Sequence, residues 1–381
     1  VIMSNEKESF VSFVKQLQKE KTDDVIQIFD RKSFYCVYGN DATFIANEYF
    51  KTLATLNHIG SGTNKLESQS IQPGQLENIL MDLLNEKQYK FEIWAAKPNT
   101  SQWERVAKGS PGNVAGLDEL FSCFSELDSL DSCTAAVRLG RDSNGNNLVG
   151  LALCDPTNQI IRITEFLDTV HFTNFESCII QASGVKECLT VFDRKNVDHK
   201  AIADVLQRCG IVLTEVKGKD FTSKDIEQDL SRLLGTITSN LPELEFKLAT
   251  EALGCVISYL ELMADESSFG KYVMKRLDLS QYMHLDSAAI DSLKLVASKR
   301  DVNKNLNLYS LLNKCNTSMG SRRLLSWVHQ PLLDINQINE RLDLVEVFYH
   351  DTIFRSNLKD NYLKKAPDFS RIIKRLQRNT S

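Results

Sequence analysis

The chain is 381 residues long, enough for two or three domains that each bury a core of their own. Its 42% hydrophobic and 25% charged residues are ordinary for a globular protein. No apolar run approaches the roughly 18–20 residues that cross a bilayer, and Val1-Ile2-Met3-Ser4-Asn5-Glu6 lacks the build of a signal peptide, so a cytosolic or nuclear protein with no membrane partner is expected. The net charge of −5 argues against a surface that faces nucleic acid throughout, but it is spread unevenly: 13 basic against 14 acidic residues in 1–111, 16 against 26 in 112–284, and 16 against 10 in 285–381.

In chain order, the pattern predicts a helix over Phe10–Leu17 and strands over Val25–Phe29 and Phe34–Tyr38, joined by the polar turn Asp30-Arg31-Lys32-Ser33. A helix Ala42–Leu53 follows Gly39-Asn40-Asp41. After the Gly/Ser/Asn-rich loop Gly60–Asn64 come a short strand Ser68–Ile71, a helix Leu76–Asn85 and a strand Tyr89–Trp94. This is a small α+β domain, 1–111, with Lys108–Asn113 as the clearest boundary.

The next stretch, 112–284, opens with strands Thr134–Leu139 and Leu148–Cys154 around a Gly/Asn/Asp turn, then Ile160–Thr164. A helix near Asn174–Ala182, strand Cys188–Phe192, helix Val197–Arg208 and strand Ile211–Glu215 alternate after it. Phe221–Leu262 is mainly helical with one interruption, and Ser267–Gly270 resembles a hinge.

From 285 onward the pattern is helical. Leu308–Phe348 is two amphipathic helices around a rigid break, expected to pack as one antiparallel unit. Asn316-Thr317-Ser318 offers caps for the first, which runs through Leu324, Leu325, Trp327 and Val328 to Gln330-Pro331, where proline stops it. Asp334 caps the second, which carries Ile335, Ile338, Leu342, Val345 and Phe348 at three-to-four spacing. Gly320 is expected to admit another backbone closely, and Arg322 and Arg323 to tie the hairpin through Asp334 or Glu346. A last helix, Phe369–Arg378, stops without a terminator, which suggests a fragment.

This string resembles the lever signature of the MutS family of DNA mismatch-repair proteins, matching at Leu311-Leu312, Thr317, Met319-Gly320, Arg323-Leu324-Leu325, Trp327, Pro331-Leu332, Ile338, Arg341-Leu342 and Val345-Glu346. The resemblance implies a multidomain α/β plus all-α protein: a mismatch-binding-like domain (1–111), an RNase H-like α/β connector (112–284) and an incomplete helical lever (285–381). Where the family's mismatch readers carry Phe-x-Glu, this chain has Phe34-Tyr35-Cys36, and thiol is a poor hydrogen-bonding substitute for the carboxylate. That departure, with Phe29-Asp30-Arg31, Ser110-Pro111-Gly112-Asn113 and Lys219-Asp220-Phe221, resembles the family's MutS homologue 2 type. It implies a nuclear subunit that supports double-stranded DNA with mismatches or small loops while a MutS homologue 6 or 3 type partner reads the fault. MutL-type proteins are further implied partners. The implied DNA contacts are Phe34 and Tyr35, with Asn64 and Lys65 as candidates for phosphate.

The chemistry of hydrolysis is missing from the text. No G-x-x-x-x-G-K-[ST] loop occurs, so no cofactor is expected here, and by resemblance ATP and Mg2+ belong to a C-terminal domain beyond this sequence. The nine cysteines include no Cys-x-x-Cys, and no His-Glu-x-x-His occurs, so no metal is expected. Two rivals stand beside this reading. One is a self-sufficient homodimeric reader of the bacterial MutS type. The other is an RNase H-like nuclease using Asp142 and Asp155, which turn capping explains more simply.

Overall fold

A computed structural model describes residues 2–22, 24–60, 65–97, 102–114, 117, 132–156, 158–182, 184–222, 224–236, 241–264, 266–277, 281–297, 303, 305–369 and 372. Residues 1–128 and 129–381 form two compact units.

The first unit is built on a six-stranded sheet in the order β3-β4-β2-β1-β5-β6. Its strands are β1 Val25–Asp30, β2 Tyr35–Tyr38, β3 Asn57–Ile59, β4 Leu66–Ile71, β5 Lys90–Ala96 and β6 Trp103–Gly109. β1 and β5 are parallel and the other pairs antiparallel. Alternation sends Ile26, Ile28, Val37, Ile71, Phe91 and Ile93 to one face, where they pack on Leu76, Leu80 and Leu83 of the helix Pro73–Asn85. The other face carries Phe29, Cys36, Tyr38 and Leu66, covered by Phe10, Val11 and Val14 of the helix Ile2–Glu20.

Two differences from the sequence expectation stand out here. β3 and the edge strand β6 were not expected; the middle of β6 is exposed and offers little hydrophobic signal. Instead of one helix over 42–53, an α-turn Asn40–Ile45 passes into a π-helical turn Ala46–Phe50, which ends at left-handed Lys51. Within the expected boundary stretch, Ser110-Pro111-Gly112-Asn113 is tucked in, and Ser110 and Asn113 exchange two backbone hydrogen bonds of 3.0 Å.

The second unit holds a sheet in the order β11-β10-β7-β8-β9-β12. β7 Cys133–Arg141, β8 Asn147–Asp155 and β9 Ile160–Asp168 form an antiparallel meander, and β10 Val185–Thr190 and β11 Val212–Glu215 add in parallel beside β7. β12 Val273–Arg276, an unexpected and mostly exposed strand, pairs parallel with β9. Helices Thr173–Gln181 and Val197–Arg208 cover one face, and Ile226–Leu234 and Lys247–Tyr259 the other. Glycines on the second face let a helix lie directly on the sheet: a Cβ on Gly150 would stand 2.3 Å from the carbonyl carbon of Leu248.

The helical stretch follows. Ser318–His329 is capped by Thr317 Oγ1, which accepts from Gly320 N at 3.1 Å, and Ile335–His350 by Asp334 Oδ1, which accepts from Asn336 N at 2.9 Å. The two helices do not pack along their length as the expected antiparallel pair. The break between them is pinned elsewhere: Pro331 O accepts from Met283 N (2.8 Å), and Leu332 forms a β-bridge with Tyr282. The expected ion pairs differ as well. Arg322 makes a two-pronged bond with Asp368 at 2.9 Å, and Arg323 and Arg341 stack on Trp327 at 5.7 and 4.1 Å. Gly320 makes room for side chains, not backbone; a Cβ there would meet Thr317 Oγ1 at 3.0 Å and Cys315 Cβ at 3.4 Å. Apart from Phe369 and Ile372, the last expected helix lies outside the described residues.

Candidate nucleic-acid interface

β2 begins at Tyr35, one residue later than expected, which leaves Phe34 at the end of the β1–β2 turn and not within the strand. The turn is closed by Arg31 N donating to Phe34 O at 2.9 Å and by Lys32 N donating to Asp30 Oδ1 at 2.6 Å, with Lys32 left-handed at φ 71°. The half-buried Phe34 ring rests on the aromatic face of the sheet beside Phe29, Cys36 and Tyr38.

Tyr35 alternates to the opposite face, against the Ile28/Val37 core. There burial, followed by the charges of Asp30 and Glu77, raises its phenol above the ordinary value. Lys65 is exposed just before β4. Because β2 pairs with β4 antiparallel, Tyr35 opposite Ile71, Lys65 and Phe34 sit at opposite ends of that ladder, about 20 Å apart at strand spacing. Asn64 lies outside the described residues. The four candidates therefore do not form one cluster.

Cys36 is buried, with Sγ 3.7 Å from Ser70 Oγ. It points among rings toward the helix Ile2–Glu20, on the same face as Phe34. Sequence reasoning missed Arg31, which stands over three rings of this face: 4.4 Å from the centroid of Phe10, 4.8 Å from Trp103 and 5.8 Å from Tyr38. Its Nη2 and Nε also donate to Tyr38 Oη at 2.7 and 3.2 Å. Burial, partly offset by Arg31, pushes Tyr38 up to about 12, so it remains a neutral phenol that accepts from the guanidinium. The signal was hard to see, since Trp103 lies in the strand that hydropathy did not predict.

In the second unit the two candidate acids serve turns. Asp142 accepts from Asn144 N and Asn146 N at 2.9 and 2.8 Å, and Asp155 from Asn158 N at 2.9 Å. The β7–β8 register puts them at opposite ends of the hairpin, on the order of 25 Å apart, where they cannot share two metal ions about 4 Å apart. The helix Thr173–Gln181 binds the start of the helical stretch. Glu176 accepts from Ser287 N (3.2 Å) and Oγ (2.5 Å) and from Arg208 Nη2 (2.8 Å), while Ser177 and Gln181 donate to the carbonyls of Leu285 and Met283 at 3.3 Å. Ile180 joins Leu285, Ile290, Leu295 and Val328 in a small apolar cluster.

Comparison with known families adds to this geometry. Residues 8–117, 132–272 and 288–381 match the models for MutS domain I, MutS domain II and MutS domain III. Among similar proteins, DNA mismatch repair protein Msh2 of Dictyostelium discoideum is 36% identical over 98% of this chain and 44% of its own length. DNA mismatch repair protein MSH2 of Zea mays is 35% identical over 98% and 39%, and that of Arabidopsis thaliana 35% over 97% and 39%. The chain thus spans about two fifths of the length of the curated relatives it matches.

Proposed function

This chain belongs to the MutS family and is of the MSH2 type, and from that premise we propose that it serves DNA mismatch repair by holding faulty duplex DNA while another subunit reads the fault. The carrying observation is the pairing of an aromatic tip, Phe34, with a buried thiol at position 36, where a base-reading carboxylate would be needed. A tip of this kind supports DNA by wedging beside a weakly stacked base and gains no base-specific hydrogen bond. In this reading Lys65, about 20 Å away along β4, meets a backbone phosphate. The partner in this reading is a MutS homologue 6 or 3 type subunit, with MutL-type proteins downstream, in the nucleus.

The strand order β9-β8-β7-β10-β11, its first three antiparallel, supports an RNase H-like connector, and the helices after Ser287 support a lever. The divisions 1–111, 112–284 and 285–381 remain part of the proposal. ATP and Mg2+, which the family implies, have no fit in this sequence, which carries no phosphate loop of the required form. A self-sufficient bacterial-type reader is disfavoured by Cys36, and a nuclease by the separation of Asp142 from Asp155.

The test is fluorescence anisotropy of the full protein with its partner subunit on mismatched and matched duplexes across salt. Phe34→Ala is expected to weaken mismatch binding by about tenfold while the salt slope stays unchanged. Lys65→Ala is expected to lower the slope on both duplexes by roughly one unit. An unchanged mismatch affinity in Phe34→Ala would remove the tip from the mechanism.

A further inference from the structure

We infer that Arg31 is the positioning residue for the Phe34 tip, and that the helix Ile2–Glu20 and the edge strand β6 form the jaws that hold it. This rests on the reading of Phe34 as a DNA contact. Arg31 and Phe34 are the two ends of the β1–β2 turn, joined by the Arg31 N to Phe34 O bond. From that turn the guanidinium reaches back onto Phe10 of the helix and Trp103 of β6, and its donors close on Tyr38 Oη. Phe10 also contacts Phe29, Tyr38 and Trp103 ring to ring, with centroids 5.1–5.5 Å apart, so the jaws are themselves braced.

The arrangement solves a specific problem. A two-stranded ribbon twists easily, and a wedge must keep its aim when it pushes a base step apart. Tying one end of the turn to three rings fixes the direction of the other end before DNA arrives, which spares the ordering cost at binding. A guanidinium already engaged by three rings and a hydroxyl is committed to the protein and is poorly placed to serve as a free phosphate ligand. Lysine cannot replace it, because an ammonium lacks the planar fork that bonds Tyr38 while stacking on Phe10.

The test is a double-mutant cycle on mismatch affinity in the full protein with its partner, with thermal melting as a check on folding. Arg31→Met is expected to weaken binding about fivefold, and Arg31→Lys to match it despite the retained charge. In the Phe34→Ala background Arg31→Met is expected to add less than about twofold, because its effect passes through the ring. Tyr38→Phe, which removes only the hydroxyl, gives a smaller loss of about twofold and carries the test if Arg31→Met does not fold. Full affinity in Arg31→Lys, or an effect that multiplies with Phe34→Ala, would make Arg31 an independent phosphate contact and overturn the inference. So would wild-type affinity in folded Arg31→Met, or in Tyr38→Phe where that variant carries the test. If Phe34→Ala alone binds normally, the tip reading fails first and this inference with it.

Discussion

The two sheets and the helical stretch after Ser318 differ in how their apolar residues are used. Both sheets are covered on both faces, and their fully buried residues include Phe29, Phe91, Leu151, Phe172 and Phe175. Past Asn307 no described residue is fully buried; Ile335, Leu342, Val345, Tyr349 and Ile353 stand more than half exposed. Helix content in that stretch rests mainly on caps and local pairs, such as Thr317, Asp334, Asp351 and the Arg341–Trp327 stack, with Val328 reaching the small cluster of Ile180, Leu285, Ile290 and Leu295. A covered sheet resists any change of volume, whereas a bare helix tolerates most of them.

Glycine substitutions should break that contrast most sharply. A Cβ on Gly254 would lie 1.9 Å from the Thr222 carbonyl oxygen, and one on Gly150 2.4 Å from Ala249 N, so backbone must move. Gly254→Ala is expected to cost about 3 kcal/mol in urea unfolding. Gly320→Ala, in the bare region, meets only side-chain atoms at 3.0 Å or more and should cost about 1 kcal/mol or less. Equal losses at the two sites would mean that the helical stretch is packed as tightly as the sheet.

The joint between the regions comes next. Glu176 is 4% exposed and its charge is met by Arg208 and Ser287; Arg208 is half exposed, which weakens its part through solvent screening. Glu176→Ala is expected to cost roughly 2 kcal/mol, and Glu176→Gln less, with faster amide exchange over 285–295 as the local readout. Acid should act on the same joint. Burial raises the Glu176 carboxyl, but the bonds from Arg208 and Ser287 outweigh it and hold it below its ordinary value. Its contribution is therefore present above the carboxylate range and lost as pH falls through its lowered value. His329, on the helix that supplies Val328 to this cluster, is pushed down by burial, and its Nδ1 has no hydrogen-bond partner. The unfolded chain then takes up that proton first, so stability starts to fall below about pH 6.5. His329→Gln should remove this upper step in a pH series of melting temperatures and leave the lower one.

How much of this was legible in the text depends on the range of the interaction. Val197–Arg208 is legible with its observed bounds, and the structure shows a purely local signal at its start: Asn196 Oδ1 accepts from Asp198 N and His199 N. Thr317 and Asp334 were readable for the same reason. Phe34 stands out only through resemblance, and the meeting of Arg31, Phe10 and Trp103 on the same face of the sheet was not readable at all. Those residues meet through sheet order, with β1 and β2 beside β5 and β6, which hydropathy does not encode. The expected antiparallel helix pair failed in a related way: periodicity shows that a helix has an apolar face but not what the face meets.

The smallest effects test the bare face itself. Leu342 and Val345 are 58% and 62% exposed, and neither belongs to an apolar cluster among the described residues. Leu342→Gln and Val345→Gln should each change the unfolding free energy of this 381-residue chain by less than about 0.5 kcal/mol. Glutamine keeps the helix propensity of leucine, so any larger loss would have to come from packing. A loss above about 1 kcal/mol would place these side chains against another surface, and the contrast between covered sheet and bare helix would no longer hold.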